Sequence, residues 1–176
     1  MQDGKSRWVM EALTRYEAAL LRYAATLVDR AQAKDVVQET FLELCKAERE
    51  AVEGHLAAWL FTVCKHRAVD ASRKTQRLRS LEDADVNEAP DSGPIKKLER
   101  RQTLSRVGAA LEALPERERE ALLLKLDGGL SYKEIARIMG LSTSNVGFIL
   151  HTAIKRIQRE IARDSELPVR TAGRTS

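Results

Sequence analysis

Hydrophobic residues recur at steps of three and four through the first part of the chain, the spacing of one face of an α-helix. The first such stripe starts near Ser6 and comprises Val9, Leu13, Tyr16, Leu20, Ala24 and Leu27. A second stripe predicts a helix over 33–46 that turns four residues inward: Val36, Val37, Phe41 and Leu44. A third helix is predicted to begin near Gly54 or His55, with Leu56, Trp59, Leu60 and Val63 in the core.

The third predicted helix changes character along its length. Between His55 and Ser80 there are six Lys and Arg residues and a single acidic residue, Asp70. From Ser80 to Ile95 the apolar period disappears, and acidic residues, proline and glycine dominate. Such a segment buries too little apolar surface to order itself. We interpret it as a flexible acidic linker between two domains, and its charge suggests that it lies against basic surface when DNA is absent.

Helical periodicity resumes with Leu98, Val107, Leu111 and Leu114, and then Pro115 stands where the first turn of a new helix tolerates a missing amide donor. Leu122, Leu123 and Leu126 supply the core of that helix, and Gly128 and Gly129 end it. The fold class is therefore predicted to be all-α, with two small helical domains. The predicted boundaries are an N-terminal domain 1–80, a linker 81–97, a C-terminal domain 98–165 and a tail 166–176.

The segment from Ser131 to Arg156 has the layout of a helix-turn-helix. Ser131 and Glu134 form the S-x-x-E pattern of a capping box, which satisfies free backbone donors at the start of a helix. Gly140 suits the left-handed backbone of a tight turn, and Ser142 can cap the second helix. A bundle corner without DNA-binding function is the alternative, and two capped helices with a correctly placed glycine argue against it.

The second helix of this motif divides into two faces. An inward stripe is spaced by threes and fours: Val146, Ile149, Leu150, Ala153, Ile157 and Ile161. The other face is polar and basic, as in a recognition helix that enters a major groove. Its candidate DNA-binding residues are Ser142, Ser144, Asn145, Phe148, Thr152, Lys155 and Arg156, followed by Arg159. Phe148 either contacts a thymine methyl or packs against the neighbouring helix, and the sequence does not decide between these two interpretations.

Composition narrows the function classes. A formal net charge of +4 permits a polyanionic partner without proving one. Cys45 and Cys64 lack the spacing of a zinc site or a disulfide framework, which fits a reducing cytoplasm. There is no apolar run of signal-peptide or membrane-span length, so no membrane insertion is expected. Three scattered histidines and no glycine-rich phosphate loop argue against an enzyme, a metal site, a cofactor or a small-molecule substrate.

Nearly the whole chain resembles bacterial RNA polymerase sigma factors of the extracytoplasmic-function class, which have two domains joined by a linker. The stretches RYAATLVDRAQAKDVVQETFLELCK and WLFTVCKHRAVDASRK resemble the domain that binds the polymerase clamp and melts the minus-ten box. LPERERE and LSYKEIARIMGLS resemble the domain that reads the minus-thirty-five box. The resemblance implies core RNA polymerase and promoter DNA as partners, and it allows an anti-sigma factor, which nothing in the sequence identifies.

The resemblance also implies residue roles. In DVVQETF it places Asp35, Gln38 and Glu39 on the face that docks on the polymerase clamp helices, whereas a solvated acidic face would be the default without it. His66, Asp70, Arg73 and Arg77 are spaced by four, three and four, which predicts a continuous basic stripe that neutralises phosphates. The candidate residues on this minus-ten side are Lys65, His66, Arg67, Asp70, Arg73, Lys74 and Arg77. The loop from Ala47 to Leu56 is where family members capture an unstacked base.

This sequence departs from the usual family pattern at several positions. His66 stands where asparagine is common and Ser72 where leucine is usual. Gly147, Phe148 and Thr152 replace residues that are often basic or hydroxylated, which predicts thinner phosphate anchoring. The competing functions are a helix-turn-helix regulator that acts without polymerase docking, and a decoy that binds polymerase without initiating.

Overall fold

A computed structural model describes residues 2–81 and 106–166. Within these ranges the chain is α-helical and contains no strand, so the all-α prediction is confirmed. Four helices belong to the first range and four to the second: α1 Gln2–Ala24, α2 Arg30–Lys46, α3 Arg49–Val52, α4 Leu56–Leu81, α5 Arg106–Glu112, α6 Glu116–Leu126, α7 Tyr132–Met139 and α8 Thr143–Glu166. Leu98, most of the predicted linker and the tail from 167 lie outside the described residues.

The N-terminal module is built from α1, α2 and α4, which pack against one another. Helix α2 begins after Asp29, whose carboxylate accepts a hydrogen bond from the Gln32 backbone N–H at 2.8 Å. The predicted inward set of α2 is confirmed, since Val36, Val37, Phe41 and Leu44 are all buried. Between α2 and α4 the predicted loop is instead the short helix α3 followed by a 3-10 turn, Glu53–His55.

The predicted core stripe of α1 is confirmed in its second half, where Tyr16, Leu20 and Ala24 are buried. Val9 and Leu13 are only half-buried, and Leu27 follows the end of the helix. The stripe omitted other residues that are buried as well, including Trp8, Ala12 and Tyr23. Helix α1 contacts α6 of the second module as well as α2 and α4, and Tyr23 is buried where it meets Phe61 of α4 and Glu120 of α6.

The C-terminal module contains α5 to α8 and confirms the helix-turn-helix prediction. Ser131 and Glu134 form a reciprocal capping box at the start of α7. Gly140 ends α7 in the left-handed region, with φ of 65°, and Ser142 Oγ accepts the Asn145 backbone N–H at 3.2 Å.

Two predicted core positions of this module are wrong. Val107 is 48% exposed and Leu126 is 67% exposed. Leu126 is the last residue of α6, and the chain then turns through Asp127 and two glycines, so no neighbouring helix covers that side chain.

The two modules pack on each other through α1 and α4 on one side and α6 and α7 on the other. The apolar part of this interface centres on Phe61 of α4, which makes an edge-to-face contact with Tyr23 of its own module at 5.3 Å between ring centroids. Gly128 lies against Phe61, because a Cβ at that position would come within 3.1 Å of the ring. Buried residues therefore form one apolar cluster that runs through both modules.

Candidate nucleic-acid and polymerase interfaces

The acidic face of α2 is open to solvent. Asp35, Gln38 and Glu39 are all exposed, on the side of the helix away from Val36 and Val37. Leu42 continues the same face one turn later and is 54% exposed, although it is a large apolar residue. Leu42 is not among the predicted docking residues, and its signal in the sequence is an apolar residue three positions after Glu39 that lies outside the inward stripe. The face thus combines carboxylates with an uncovered apolar side chain, which is a composition suited to a protein partner.

Arg67 is held at the edge of this acidic face. Its guanidinium lies 2.8 Å from Glu43 Oε1 and 4.0 Å from Glu39 Oε2. A hydrogen bond from Lys46, together with the nearby charge of Arg67, lowers the pKa of the Glu43 carboxyl below its ordinary value. Arg67 therefore points towards α2, although the sequence analysis grouped it with the basic stripe of α4.

The outer face of α4 presents the predicted stripe. His66, Asp70, Arg73, Lys74 and Arg77 are exposed. Lys65 differs, because its ammonium lies 2.6 Å from Glu120 Oε1 of α6 and its side chain is only 22% exposed. The structure thus brings five of the seven candidate residues to solvent and directs Lys65 and Arg67 to carboxylates elsewhere in the protein.

The recognition helix α8 divides its candidate residues into two groups. Ser144, Asn145, Phe148 and Lys155 are exposed. Phe148 is 69% exposed, so it does not pack against a neighbouring helix.

The remaining three candidates on α8 hold hydrogen bonds within the protein. Ser142 caps the helix, and the Thr152 hydroxyl donates to the Phe148 carbonyl oxygen at 2.9 Å. Arg156 forms an ion pair with Glu118 of α6 at 3.0 Å. These bonds leave Ser144, Asn145, Phe148 and Lys155 as the candidates that face solvent without such a role.

The described residues carry no cluster of His, Cys, Asp and Glu able to hold a metal ion. No helix in the same ranges is long and apolar enough to cross a membrane. What the surface offers is two helical faces, one acidic and one basic, on the N-terminal module and a recognition helix on the C-terminal one. This arrangement defines a two-module helical protein whose second module carries a helix-turn-helix.

Comparison with known proteins identifies the family. The Sigma-70 region 2 family matches residues 12–78, and the Sigma-70 region 4 family matches residues 104–157. The ECF RNA polymerase sigma factor EcfG of Rhodopseudomonas palustris is 34% identical over 134 residues, covering 73% of this chain and 71% of that protein. The ECF RNA polymerase sigma factor SigD of Mycobacterium tuberculosis is 29% identical over 167 residues, covering 90% of this chain and 79% of that protein.

Two solved structures share the fold. The sigma factor RpoE of Bartonella quintana, crystallised with the anti-sigma factor NepR, matches with a TM-score of 0.60 and 24% identity over 88% of this chain and 97% of that one. CnrH, solved with the cytosolic domain of CnrY, matches with a TM-score of 0.56 and 22% identity over 90% of each chain.

The chain belongs to the ECF class of RNA polymerase sigma factors. Its function is that of the family, a transcription initiation factor that gives RNA polymerase its promoter specificity. A helix-turn-helix regulator that acts without polymerase docking is not favoured, because the region 2 match covers most of the N-terminal module.

Proposed function

We propose that this chain binds core RNA polymerase through Asp35, Gln38 and Glu39 of α2 and reads promoter DNA with α4 and α8. The N-terminal domain, within 1–80, would dock and hold the melted minus-ten box, and the C-terminal domain, within 98–165, would fix the register at the minus-thirty-five box. The observation that carries this division is exposure: the α2 and α4 faces are exposed on the module that matches sigma region 2, and the α8 face is exposed on the module that matches region 4. The role needs no catalytic group or cofactor in this chain, because the polymerase performs the chemistry, and it places the chain in the cytoplasm.

The docking assignment rests on the composition of the α2 face. Three exposed polar residues and Leu42 stand at i, i+3, i+4 and i+7, so all four side chains reach one surface. Reversal of Asp35 to arginine puts repulsion at this surface, and such a change at a docked charge typically costs several kcal/mol. We expect Asp35→Arg to lose core polymerase binding in a pull-down or by surface plasmon resonance.

A matched control separates docking from general charge effects. Glu17 is an exposed carboxylate on α1, and Glu17→Arg makes the same change in net charge. We expect this variant to bind core polymerase as the wild type does. Equal binding by Asp35→Arg and the wild type would remove α2 from the docking surface.

On the minus-ten side, the support is the exposed series His66, Arg73 and Arg77 on one face of α4, with Lys74 beside it. Side chains of this kind contact phosphates and give salt-dependent affinity with little sequence preference. We expect Arg73→Glu to weaken binding of single-stranded promoter DNA and to reduce its dependence on salt concentration.

On the minus-thirty-five side, Asn145 and Phe148 are the proposed base readers. Asparagine suits adenine, and an aromatic side chain suits the methyl group of thymine. The two residues are three positions apart, a rise of about 4.5 Å along the helix, which brings them to the same or adjacent base pairs at 3.4 Å per step. The observation that favours Phe148 is its exposure of 69% on the polar face of α8.

Replacement of thymine by deoxyuridine tests this assignment one methyl group at a time. Loss of one buried methyl costs about 0.8 kcal/mol, or about fourfold in affinity. We expect the wild type to lose this affinity when one particular thymine of a selected minus-thirty-five duplex is replaced. The Phe148→Ala variant should bind the two duplexes equally. Ile154→Ala, an equally apolar change on another face of α8, is the control and should keep the discrimination. A loss that persists in Phe148→Ala would assign the methyl contact to another residue.

An anti-sigma factor is the third proposed partner. The support is that two structures with this fold were solved in complexes, one with the anti-sigma factor NepR and one with the cytosolic domain of CnrY. The test is whether the chain isolated from its native cells carries a protein that blocks binding to core polymerase. If the chain isolated in this way is fully active in binding core polymerase, the result would argue against sequestration by an anti-sigma factor.

A further inference from the structure

A buried polar cluster joins the two modules. Glu120 of α6 is 9% exposed, and its Oε1 accepts the Tyr23 hydroxyl at 3.0 Å and the Lys65 ammonium at 2.6 Å. Tyr23 itself is fully buried, and burial together with the charge of Glu120 raises the pKa of its hydroxyl, so it remains a neutral donor. Arg22 adds an ion pair to Asp127 at 2.7 Å on the rim.

This packing is incompatible with simultaneous reading of both promoter elements. The minus-ten and minus-thirty-five boxes are separated by about 25 base pairs, which is about 85 Å at 3.4 Å per step. Helix α4, with 26 residues, is only about 39 Å long, and here the modules touch each other directly. Residues 82–105 connect α4 to α5, and these 24 residues can span about 80 Å when extended. The covalent connection therefore permits separation, and it is the interface that must open.

The interface also occupies part of the proposed DNA surface. Lys65, one of the minus-ten candidates, is neutralised by Glu120. Farther along, a cleft of about 380 Å³ lies between His66 and Arg73 of α4 and Arg137 and Met139 of α7. The helix-turn-helix thus forms the opposite wall of a cleft whose first wall is the proposed minus-ten surface. A DNA strand lying in this cleft would contact α7 as well as α4.

We propose that Tyr23, Lys65 and Glu120 form a latch that holds the free factor closed, and that Glu120 competes with promoter phosphates for Lys65. The competition between Glu120 and DNA rests on the proposed function of α4 as a DNA surface. The closure of the two modules does not, because it can be measured without DNA. A carboxylate buried in this way is costly to leave unpaired, so loss or reversal of one charge shifts the modules apart. Only the fraction of open molecules binds DNA, and the apparent affinity rises as that fraction rises.

The closure test uses electron spin resonance distances between spin labels on Cys45 of α2 and on Lys133→Cys of α7, both exposed positions. We expect a short, narrow distance distribution when Tyr23, Lys65 and Glu120 are unchanged. In Glu120→Lys the distribution should be longer and broader. Glu116→Lys reverses an exposed charge on the same helix and should retain the short distance. The exchanged pair Lys65→Glu with Glu120→Lys should restore it. An unchanged distribution in Glu120→Lys overturns the latch.

The DNA test uses a mixed-sequence single-stranded oligonucleotide at low salt. We expect Glu120→Lys to bind about tenfold more tightly than Glu116→Lys, because both variants add the same charge and only the first one opens the latch. Equal affinities of the two variants would overturn the competition between Glu120 and DNA. The distance measurement could show that Glu120→Lys opens the protein while Arg73→Glu leaves DNA binding unchanged. That combination would count against the assignment of α4 as a DNA surface.

Discussion

The turn of the helix-turn-helix allows a quantitative test at Gly140. Its backbone lies in the left-handed region, with φ of 65° and ψ of 40°. A Cβ at this position has no heavy atom within 4 Å, so alanine adds no collision. The cost of Gly140→Ala is therefore the backbone conformation alone, about 1–2 kcal/mol for an L-residue.

Gly54→Ala is the matched control. Gly54 also has open space around its Cβ position, and its φ is outside the left-handed region. Both substitutions restrict the unfolded chain equally and stabilise the protein by about 0.4–1 kcal/mol through that effect. The difference between the two variants isolates the left-handed term, so we expect Gly140→Ala to be less stable than Gly54→Ala by about 1–2 kcal/mol.

The assay is urea unfolding followed by far-ultraviolet circular dichroism, with equal slopes required before midpoints are compared. Gly140→Asn provides a second check, because asparagine tolerates the left-handed region better than alanine. Equal free energies of unfolding for Gly140→Ala and Gly54→Ala would refute the reasoning, as would an asparagine variant less stable than the alanine one.

Two further outcomes follow from local chemistry. Hydrogen bonds from the Ser131 backbone and hydroxyl lower the pKa of Glu134, so this contribution to stability is present above the ordinary glutamate pKa and is lost as pH falls through the lowered value. Ser131→Ala should therefore lose about 1 kcal/mol near neutral pH and less in acid, as measured by unfolding at each pH. Burial raises the pKa of the Cys64 thiol to about 12, against a weaker opposing hydrogen bond with Thr40, whereas Cys45 is exposed. A thiol reagent near neutral pH should label one cysteine in the native protein and two after denaturation, and Cys45→Ser should abolish the native label; labelling of native Cys45→Ser would contradict the burial argument.

The features that were predictable from sequence are those whose physical cause is local. The capping box at Ser131 needs residues only three apart, and the left-handed turn at Gly140 follows from the one residue type that adopts it freely. The inward face of α2 was predictable because its one apolar stripe packs into the core of its own module. The cap at Asp29 is equally local, and the pattern of an aspartate three residues before Gln32 could have revealed it.

The features that were not predictable depend on contacts between the modules. Helical periodicity predicts that every charged residue of α4 faces solvent. Lys65 instead bonds to the carboxylate of Glu120, which lies 55 positions later in the sequence. Glu120 belongs to a run of alternating Glu and Arg, LPERERE, which in isolation indicates only a solvated helix. Tyr23 was omitted from the α1 stripe, and its side of the helix becomes interior where Phe61 of α4 and Glu120 of α6 meet it. The candidate DNA surface thus stays a prediction, and the contact with Glu120 that covers Lys65 could not be read from the sequence.

Run-off transcription with purified core polymerase and genomic fragments tests whether the chain initiates transcription, comparing the wild type with Asp35→Arg and Arg73→Glu. We expect promoter-specific transcripts with the wild type and their loss in both variants, because the first variant loses polymerase docking and the second loses promoter DNA. If the wild type yields no transcript yet binds duplex DNA tightly without polymerase, the initiation mechanism and the docking role of Asp35 are contradicted.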